Sequence, residues 1–322
     1  MSASVLIPIL SEKNVHPRDA NLVFDEPTHK YTIITDPDSR YTSVTTWNHC
    51  HFPKFNADEV IRNMMRGKNW NPENKYWGLT AKQIKDQWSQ NGAAVSNAGT
   101  DMHFDIECFM NQELPVEPYT HVNLLENYNA NSSSINNTSE EWEFFLQFVR
   151  ENPGMKPFRT EWMIYDEELK LAGSIDMVYE NPDGTLSIYD WKRAKEIVKA
   201  NNYGKHATTP CINHLPDTNY WHYSLQLNTY KTILEKQYGR TVTDLYLVRL
   251  HPDNPDKTYD LIKCADLSAE MADLFELRRQ QLLPLPKQIE HLEPIINNTN
   301  YSGKPKQTSF HNFFQKNANK KK

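Results

Sequence analysis

The chain has only four cysteines, Cys50, Cys108, Cys211 and Cys264, and no two of them form a C-x-x-C pair. Such wide spacing argues against a disulfide framework or a zinc site and fits reduced, buried thiols. No apolar run approaches the ~18 residues that a membrane helix needs. The first 30 residues lack the apolar stretch of a secretory signal, and Glu12, Asp19, Asp25 and Glu26 argue against a transit peptide. A soluble intracellular protein with no membrane partner is therefore expected, and its sequons at Asn137 and Asn300 are expected to carry no glycan. No internal repeat is visible. No G-x-x-x-x-G-K-[ST] loop is found, so any nucleotide-driven unwinding is expected to belong to a separate protein.

What the chain does have is enough apolar material for a sizeable core: 38% hydrophobic and 11% aromatic residues in a length of 322. That length fits two domains or one elaborated α/β domain. The formal charge of −6 hides an asymmetry. Lys304 to Lys322 holds six lysines and no acid, +6 in all, so the residues before it carry −12 to give the total of −6. A basic tail on an acidic body points to two separate jobs. Within the body, Lys192 to Lys205 is locally basic, with five cations against Glu196 alone.

Apolar spacing and turn residues give a coarse layout. Residues 22–46 read as a β-hairpin with strand-like runs at 22–24, 30–34 and 41–46 and a turn at Asp36-Pro37-Asp38-Ser39. Residues 57–67, 80–91 and 98–110 read as helices, with Thr80 capping the second. Asn127 to Ser139 is polar and reads as a surface loop. Strands are expected at 158–165, 171–179 and 185–191, the last two joined by the turn Asn181-Pro182-Asp183-Gly184. A helix over 219–237, a strand over 242–250 and a helix over 266–283 complete a mixed α/β core. Residues 1–297 are read as one domain with an N-terminal elaboration, and 298–322 as a flexible basic tail.

Two carboxylates and a lysine stand out within this layout. Asp176 ends Gly173-Ser174-Ile175-Asp176, and Asp190 and Lys192 belong to Asp190-Trp191-Lys192. If the two strands pair through the turn at Asp183-Gly184, Asp176 and Asp190 flank the same end of a hairpin. Asp190 and Lys192 then share a strand face. Carboxylates held close repel each other, and a hard divalent cation removes that penalty. A lysine beside them can orient water and offset charge on a phosphate. A lone D-x-K is a three-residue pattern, equally readable as strand-end charges in solvent.

Four stretches in order change that balance. Gly99-Thr100-Asp101-Met102-His103, Gly173-Ser174-Ile175-Asp176, Asp190-Trp191-Lys192 and Gln226-Leu227-Asn228-Thr229-Tyr230 are similar to G-T-x-x-H, G-x-x-D, D-x-K and Q-x-x-x-Y motifs. Together they resemble the PD-(D/E)XK nuclease superfamily in its RecB-like exonuclease branch, near mitochondrial genome maintenance exonucleases and viral and phage relatives. Ser43-Val44-Thr45 is similar to a short S-V-T segment of such enzymes. The likeness extends loosely from about residue 22 to 265. It implies a restriction-endonuclease-like α/β core, with a mixed central sheet flanked by helices and with an N-terminal β-hairpin and helical elaborations. It also implies Mg²⁺ or Mn²⁺ bound by His103, Asp176, Asp190 and the Trp191 backbone carbonyl, with Lys192 positioning the attacking water. Glu161 stands on the preceding strand where a family acidic residue often does, with a catalytic or a structural role. Gln226 and Tyr230 would face the site and hold the DNA backbone or the lysine. Some members of the branch carry an iron–sulfur cluster on four cysteines. Only Cys264 follows Tyr230 here, so no cluster is expected.

The basic stretch holds Lys192, Arg193, Lys195, Lys199 and Lys205 among Tyr203, His206, Tyr220, Trp221 and Tyr223. Cations for phosphates and rings for bases suit single-stranded DNA. Arg193, Lys195 and Trp221 are the candidate contacts. In the tail, Gln307, Phe310, Phe313 and Phe314 resemble the PIP box that docks on PCNA-like sliding clamps, flanked by lysines that suit an acidic clamp. The expectation is a metal-dependent DNA exonuclease on single-stranded or frayed ends, recruited by a clamp in replication, repair or recombination. A nucleus or a replication site such as a viral factory would be its setting. The rivals are an inactive clamp-tethered DNA-binding module and a structure-specific endonuclease.

Overall fold

In chain order the elements begin with α1 (Ile9–Lys13), β1 (Leu22–Asp25), β2 (Lys30–Ile33), β3 (Thr42–Ser43), α2 (Val44–His49) and α3 (Ala57–Arg66). The helices α4 (Ala81–Met110), α5 (His121–Ala130) and α6 (Glu140–Glu151) follow. Then come β4 (Lys156–Asp166), β5 (Leu171–Glu180), β6 (Leu186–Lys192), α7 (Asn219–Gln237), β7 (Val242–Arg249), β8 (Asp260–Lys263) and α8 (Ser268–Leu282). These come from a computed structural model, which describes residues 8–115, 117–130, 135–201 and 204–283. The tail residues Gln307, Phe310, Phe313 and Phe314, the boundary expected after residue 297, and Tyr203 lie outside the described residues. Among the described residues no helix is long and apolar enough to cross a membrane.

The sheet is mixed, in the order β3-β5-β6-β7-β8, with β4 also paired to β5. β4, β5 and β6 form an antiparallel meander, and α7 crosses over to bring β7 parallel to β6. The β5–β6 turn closes where it was expected: Asn181 N donates to Thr185 O at 2.8 Å, and Gly184 takes the positive φ of 81° that the turn needs. β6 is buried along its length up to Lys192, as a central strand covered on both faces should be. Its Leu186 and Ile188 pack with Leu225, Ile233 and Leu234 of α7. Its Tyr189 and Trp191 pack with Phe109 of α4 and Phe145 and Phe148 of α6. Each such side chain contributes about 1.5–3 kcal/mol on leaving water. Asp190 and Lys192 continue the face of β6 that meets α7.

Several sequence expectations are corrected by tertiary context. Val44, Thr45 and Thr46 are β-branched or hydroxyl residues and read as strand, yet they open α2. Ser43 Oγ accepts from Thr46 N at 3.1 Å and caps that helix, leaving only Thr42 and Ser43 paired with Leu171 and Ala172. The N-terminal hairpin is therefore only β1 and β2. The helices expected at 80–91 and 98–110 are one, α4, whose interior Gly92 weakens but does not break it. Its start is the expected Thr80, in a capping box with Gln83. Asn127 to Ala130 belong to α5 instead of a loop. The helix α6 went unread despite a Ser139 cap, and so did the four-residue edge strand β8.

Candidate metal centre

Antiparallel pairing of Met177 with Tyr189 places Asp176 and Asp190 on the next rung of β5 and β6. Asp176 Oδ2 accepts from the Trp191 backbone N–H at 3.1 Å, which ties the end of β6 to β5. Phe145 and Phe148 meet the Trp191 ring edge-on at 5.7 and 5.6 Å and fix the backbone on either side of it. The Trp191 carbonyl, expected to ligate a metal, accepts a hydrogen bond from His103 Nε2 at 2.9 Å. A carbonyl can only accept, so Nε2 carries hydrogen and Nδ1 is the ring atom that faces the carboxylates. Nδ1 lies 3.5 Å from Asp176 Oδ2 and 3.9 Å from Glu161 Oε1.

Glu161 reaches this point through an unusual backbone. Thr160 and Trp162 pair with Met177 and Ile175, but Glu161 between them has φ +41°, a left-handed value that costs a side-chain-bearing residue about 1–3 kcal/mol. Ser174 Oγ donates to Glu161 Oε2 at 2.8 Å and holds the other oxygen toward His103. His103, Glu161 and Asp176 each offer a ligand atom within 4.8 Å of the others, the one such cluster among the described residues.

Asp190 stands beside this trio in a pair with Lys192. Lys192 Nζ lies 2.5 Å from its Oδ2. Burial pushes the Asp190 carboxyl up to about 6, Asp176 adds to the rise, and Lys192 works against it. Burial works to lower Lys192, but Asp190 and Asp176 outweigh it and raise the ammonium above its ordinary value. Lys192 is therefore a held cation and not a general base in this state. Burial raises Asp176 as well, with Glu161 adding to it. At His103 burial again works downward, and Asp176 and Glu161 carry the imidazole up to about 9.

These groups fit a hard divalent cation. Three carboxylates converge against two cationic side chains, and burial, with a carboxylate neighbour adding to it, pushes Asp176 and Asp190 each toward the neutral acid. Two carboxylates and an imidazole are a donor set that Mg²⁺ or Mn²⁺ accepts.

Around the centre the expected contacts divide. Gln226 Nε2 donates to Thr45 Oγ1 at 3.1 Å and to the Tyr230 hydroxyl at 3.2 Å, so Gln226 binds the S-V-T segment rather than the lysine. Tyr230 is buried against Gly173, where an added Cβ would stand 2.8 Å from Cε1 of the ring. The glycine of the G-x-x-D motif is thus required by the tyrosine of Q-x-x-x-Y. Lys192 Nζ lies instead 4.5 Å from the ring centroid of Tyr223. Arg193 is drawn from the proposed DNA surface into a pair with Glu141 of α6, Nε to Oε1 at 2.6 Å, both mostly buried. Lys195 is exposed, 3.2 Å from Asp253. The half-buried Trp221 donates its indole N–H to Lys199 O at 2.8 Å.

Two acidic-site features were missed. Ser174 lies inside the Gly173-Ser174-Ile175-Asp176 stretch at a position the motif leaves open, yet it orients Glu161. Glu107, one helical turn after His103 on α4, lines a cavity of about 280 Å³ with Glu161 and is pushed up to about 7 by burial and by Glu161. An H-x-x-x-E spacing on a helix was the available signal.

A family model described as the PD-(D/E)XK nuclease superfamily matches residues 114–307, more than half of the chain. The matched span takes in Glu161, Asp176, Asp190, Lys192, Gln226 and Tyr230 and begins after His103. No curated protein matches the chain.

Proposed function

The chain belongs to the PD-(D/E)XK nuclease superfamily, and on that premise we propose that it is a Mg²⁺- or Mn²⁺-dependent deoxyribonuclease. The finer reading is a RecB-like exonuclease that shortens single-stranded or frayed DNA ends in replication, repair or recombination. The observation that carries the metal-dependent nuclease reading is the meeting of His103, Glu161 and Asp176 beside the Asp190–Lys192 pair, while the exonuclease reading rests on the motif resemblance in the sequence.

His103 Nδ1, Glu161 and Asp176 would hold the cation, with Asp190 and the Trp191 carbonyl beside them. The bound ion supplies Lewis acidity, activating water and offsetting charge on the phosphate. Lys192 stays protonated in its pair with Asp190 and donates to a water or a phosphoryl oxygen at the open side of that pair. Asp190 keeps the ammonium from swinging away. Thr45 and Gln226 form a neutral polar rim near α7, suited to the sugar–phosphate backbone. Exposed Lys195 adds screened attraction for DNA.

Recruitment by a sliding clamp rests on Gln307, Phe310, Phe313 and Phe314 and their flanking lysines in the sequence. Replacing Phe313 and Phe314 with Ala is expected to abolish clamp binding in a pull-down while naked-DNA cleavage continues. An unchanged pull-down removes the tail reading.

End-labelled linear oligonucleotides and a closed single-stranded circle, each with Mg²⁺, test the activity. Shortening of linear ends with the circle spared is expected. A cut circle would make the protein an endonuclease, and binding without any cleavage would make it an inactive module.

A further inference from the structure

We propose that Tyr223 is a positioning residue for Lys192: its ring face, and not Gln226 or Tyr230, holds the ammonium at the site. This rests on the nuclease reading above and adds a residue to it. Lys192 Nζ lies 4.5 Å from the Tyr223 ring centroid and 2.5 Å from Asp190 Oδ2, so the ammonium is gripped between a carboxylate and an aromatic face. Tyr223 and Tyr230 stand seven residues apart on one face of α7. Tyr230 meets Gly173 so closely that an added Cβ would stand 2.8 Å from its ring, which pins that face against β5 and fixes the Tyr223 ring above Lys192. Gln226 is occupied elsewhere, with Thr45 and Tyr230.

The two grips differ in what a cation does to them. Asp190 adjoins the cluster of His103, Glu161 and Asp176, and a carboxylate that shares its charge with a divalent ion attracts an ammonium less strongly. A ring quadrupole is neutral and keeps its attraction. Tyr223 is therefore the partner that keeps Lys192 in place when the centre is loaded. The sequence had offered Tyr223 as a platform for a DNA base. Loss of such a platform weakens DNA binding and raises KM. Loss of a positioning residue lowers kcat and leaves KM.

The test compares full-length wild type, Tyr223→Leu and Tyr223→Phe. With Mg²⁺ and a single-stranded oligonucleotide, Tyr223→Leu is expected to lose about tenfold in kcat, equivalent to about 1.4 kcal/mol, with KM unmoved. Tyr223→Phe keeps the ring and restores most of that loss. A second readout needs no activity: trace acetylation of the metal-free protein by acetic anhydride, with Lys192 quantified against exposed Lys195. Tyr223→Leu is expected to raise the relative labelling of Lys192 several-fold, and Tyr223→Phe to leave it low. Unchanged labelling in the Leu variant, equal damage from Phe and Leu, or a rise in KM alone would overturn the proposal. Should Tyr223→Leu fail to fold, Tyr223→Met gives the same ringless comparison. A wild type that cleaves nothing defeats the nuclease reading, while the labelling still decides whether Tyr223 holds Lys192.

Discussion

Asp190 and Lys192 control each other's charge, and that coupling dominates the chemistry at the residue scale. Asp190→Asn removes the carboxylate while keeping its shape, and Asp176 remains near the ammonium. Cleavage is expected to fall by about 100-fold or more, with little change in DNA binding or Tm; normal turnover would remove Asp190 from the site. Lys192→Ala is a harsher change, because it leaves a buried carboxylate without its partner. Gly173 gives a second prediction. A Cβ there would meet Tyr230 Cε1 at 2.8 Å and Val44 Cβ at 3.3 Å. Gly173→Ala is expected to cost about 1–3 kcal/mol in urea unfolding. Combining it with Tyr230→Leu should cost less than the two changes taken singly, whereas simple additivity would show that the ring and the glycine are not in contact. The short motifs at 173–176 and 190–192 were legible because neighbouring residues on two paired strands need only local register. The grip of Tyr223 on Lys192 and the pairing of Arg193 with Glu141 were not legible, since each joins residues far apart in the chain.

The secondary elements each bring one part of the centre. β4 contributes Glu161 through a strained turn of backbone, β5 and β6 contribute the aspartates, and α4 contributes His103. Glu161→Gly relieves the φ of +41° while deleting the carboxylate. It is expected to hold or raise Tm and to lose activity; a Tm lowered by several degrees would show that the left-handed backbone is not a strain. The meander β4–β5–β6 was readable because runs rich in apolar and aromatic residues are punctuated by the turn at Asp183-Gly184. Elements decided by their surroundings were not. Val44 to Thr46 have strand-like side chains but follow a serine placed to cap a helix. The four-residue β8 is too short to carry a pattern of its own. Glu161 could be named from its strand, but nothing in the sequence signals the positive φ that turns it toward His103.

On the scale of the whole molecule, stability and charge set the conditions under which the centre works. His121, the first residue of α5, is fully buried with Nε2 2.9 Å from the Tyr179 hydroxyl, and burial pushes its imidazole down to about 3. In the unfolded chain a histidine titrates near ~6.5. As pH falls from there toward 3, the unfolded state takes up a proton that the native state refuses, so stability falls by up to about 1.4 kcal/mol per unit from this residue. Urea unfolding of His121→Gln is expected to vary less between pH 7 and pH 5 than that of the wild type; an equal slope would contradict the buried neutral ring. An acidic body must also bind a polyanion, so cleavage should depend steeply on ionic strength and on the divalent ion. A chelator is expected to stop cleavage without unfolding the chain.

The gathering of His103, Glu161 and Asp176 around one cation is most directly tested by soaking crystals of the protein in Mn²⁺ and recording anomalous scattering. A peak is expected in contact with His103 Nδ1 and with a carboxylate oxygen of both Glu161 and Asp176, next to the Asp190–Lys192 pair. Saturating Mn²⁺ with no peak there, or with one elsewhere in the molecule, would contradict the metal centre and the nuclease mechanism built on it.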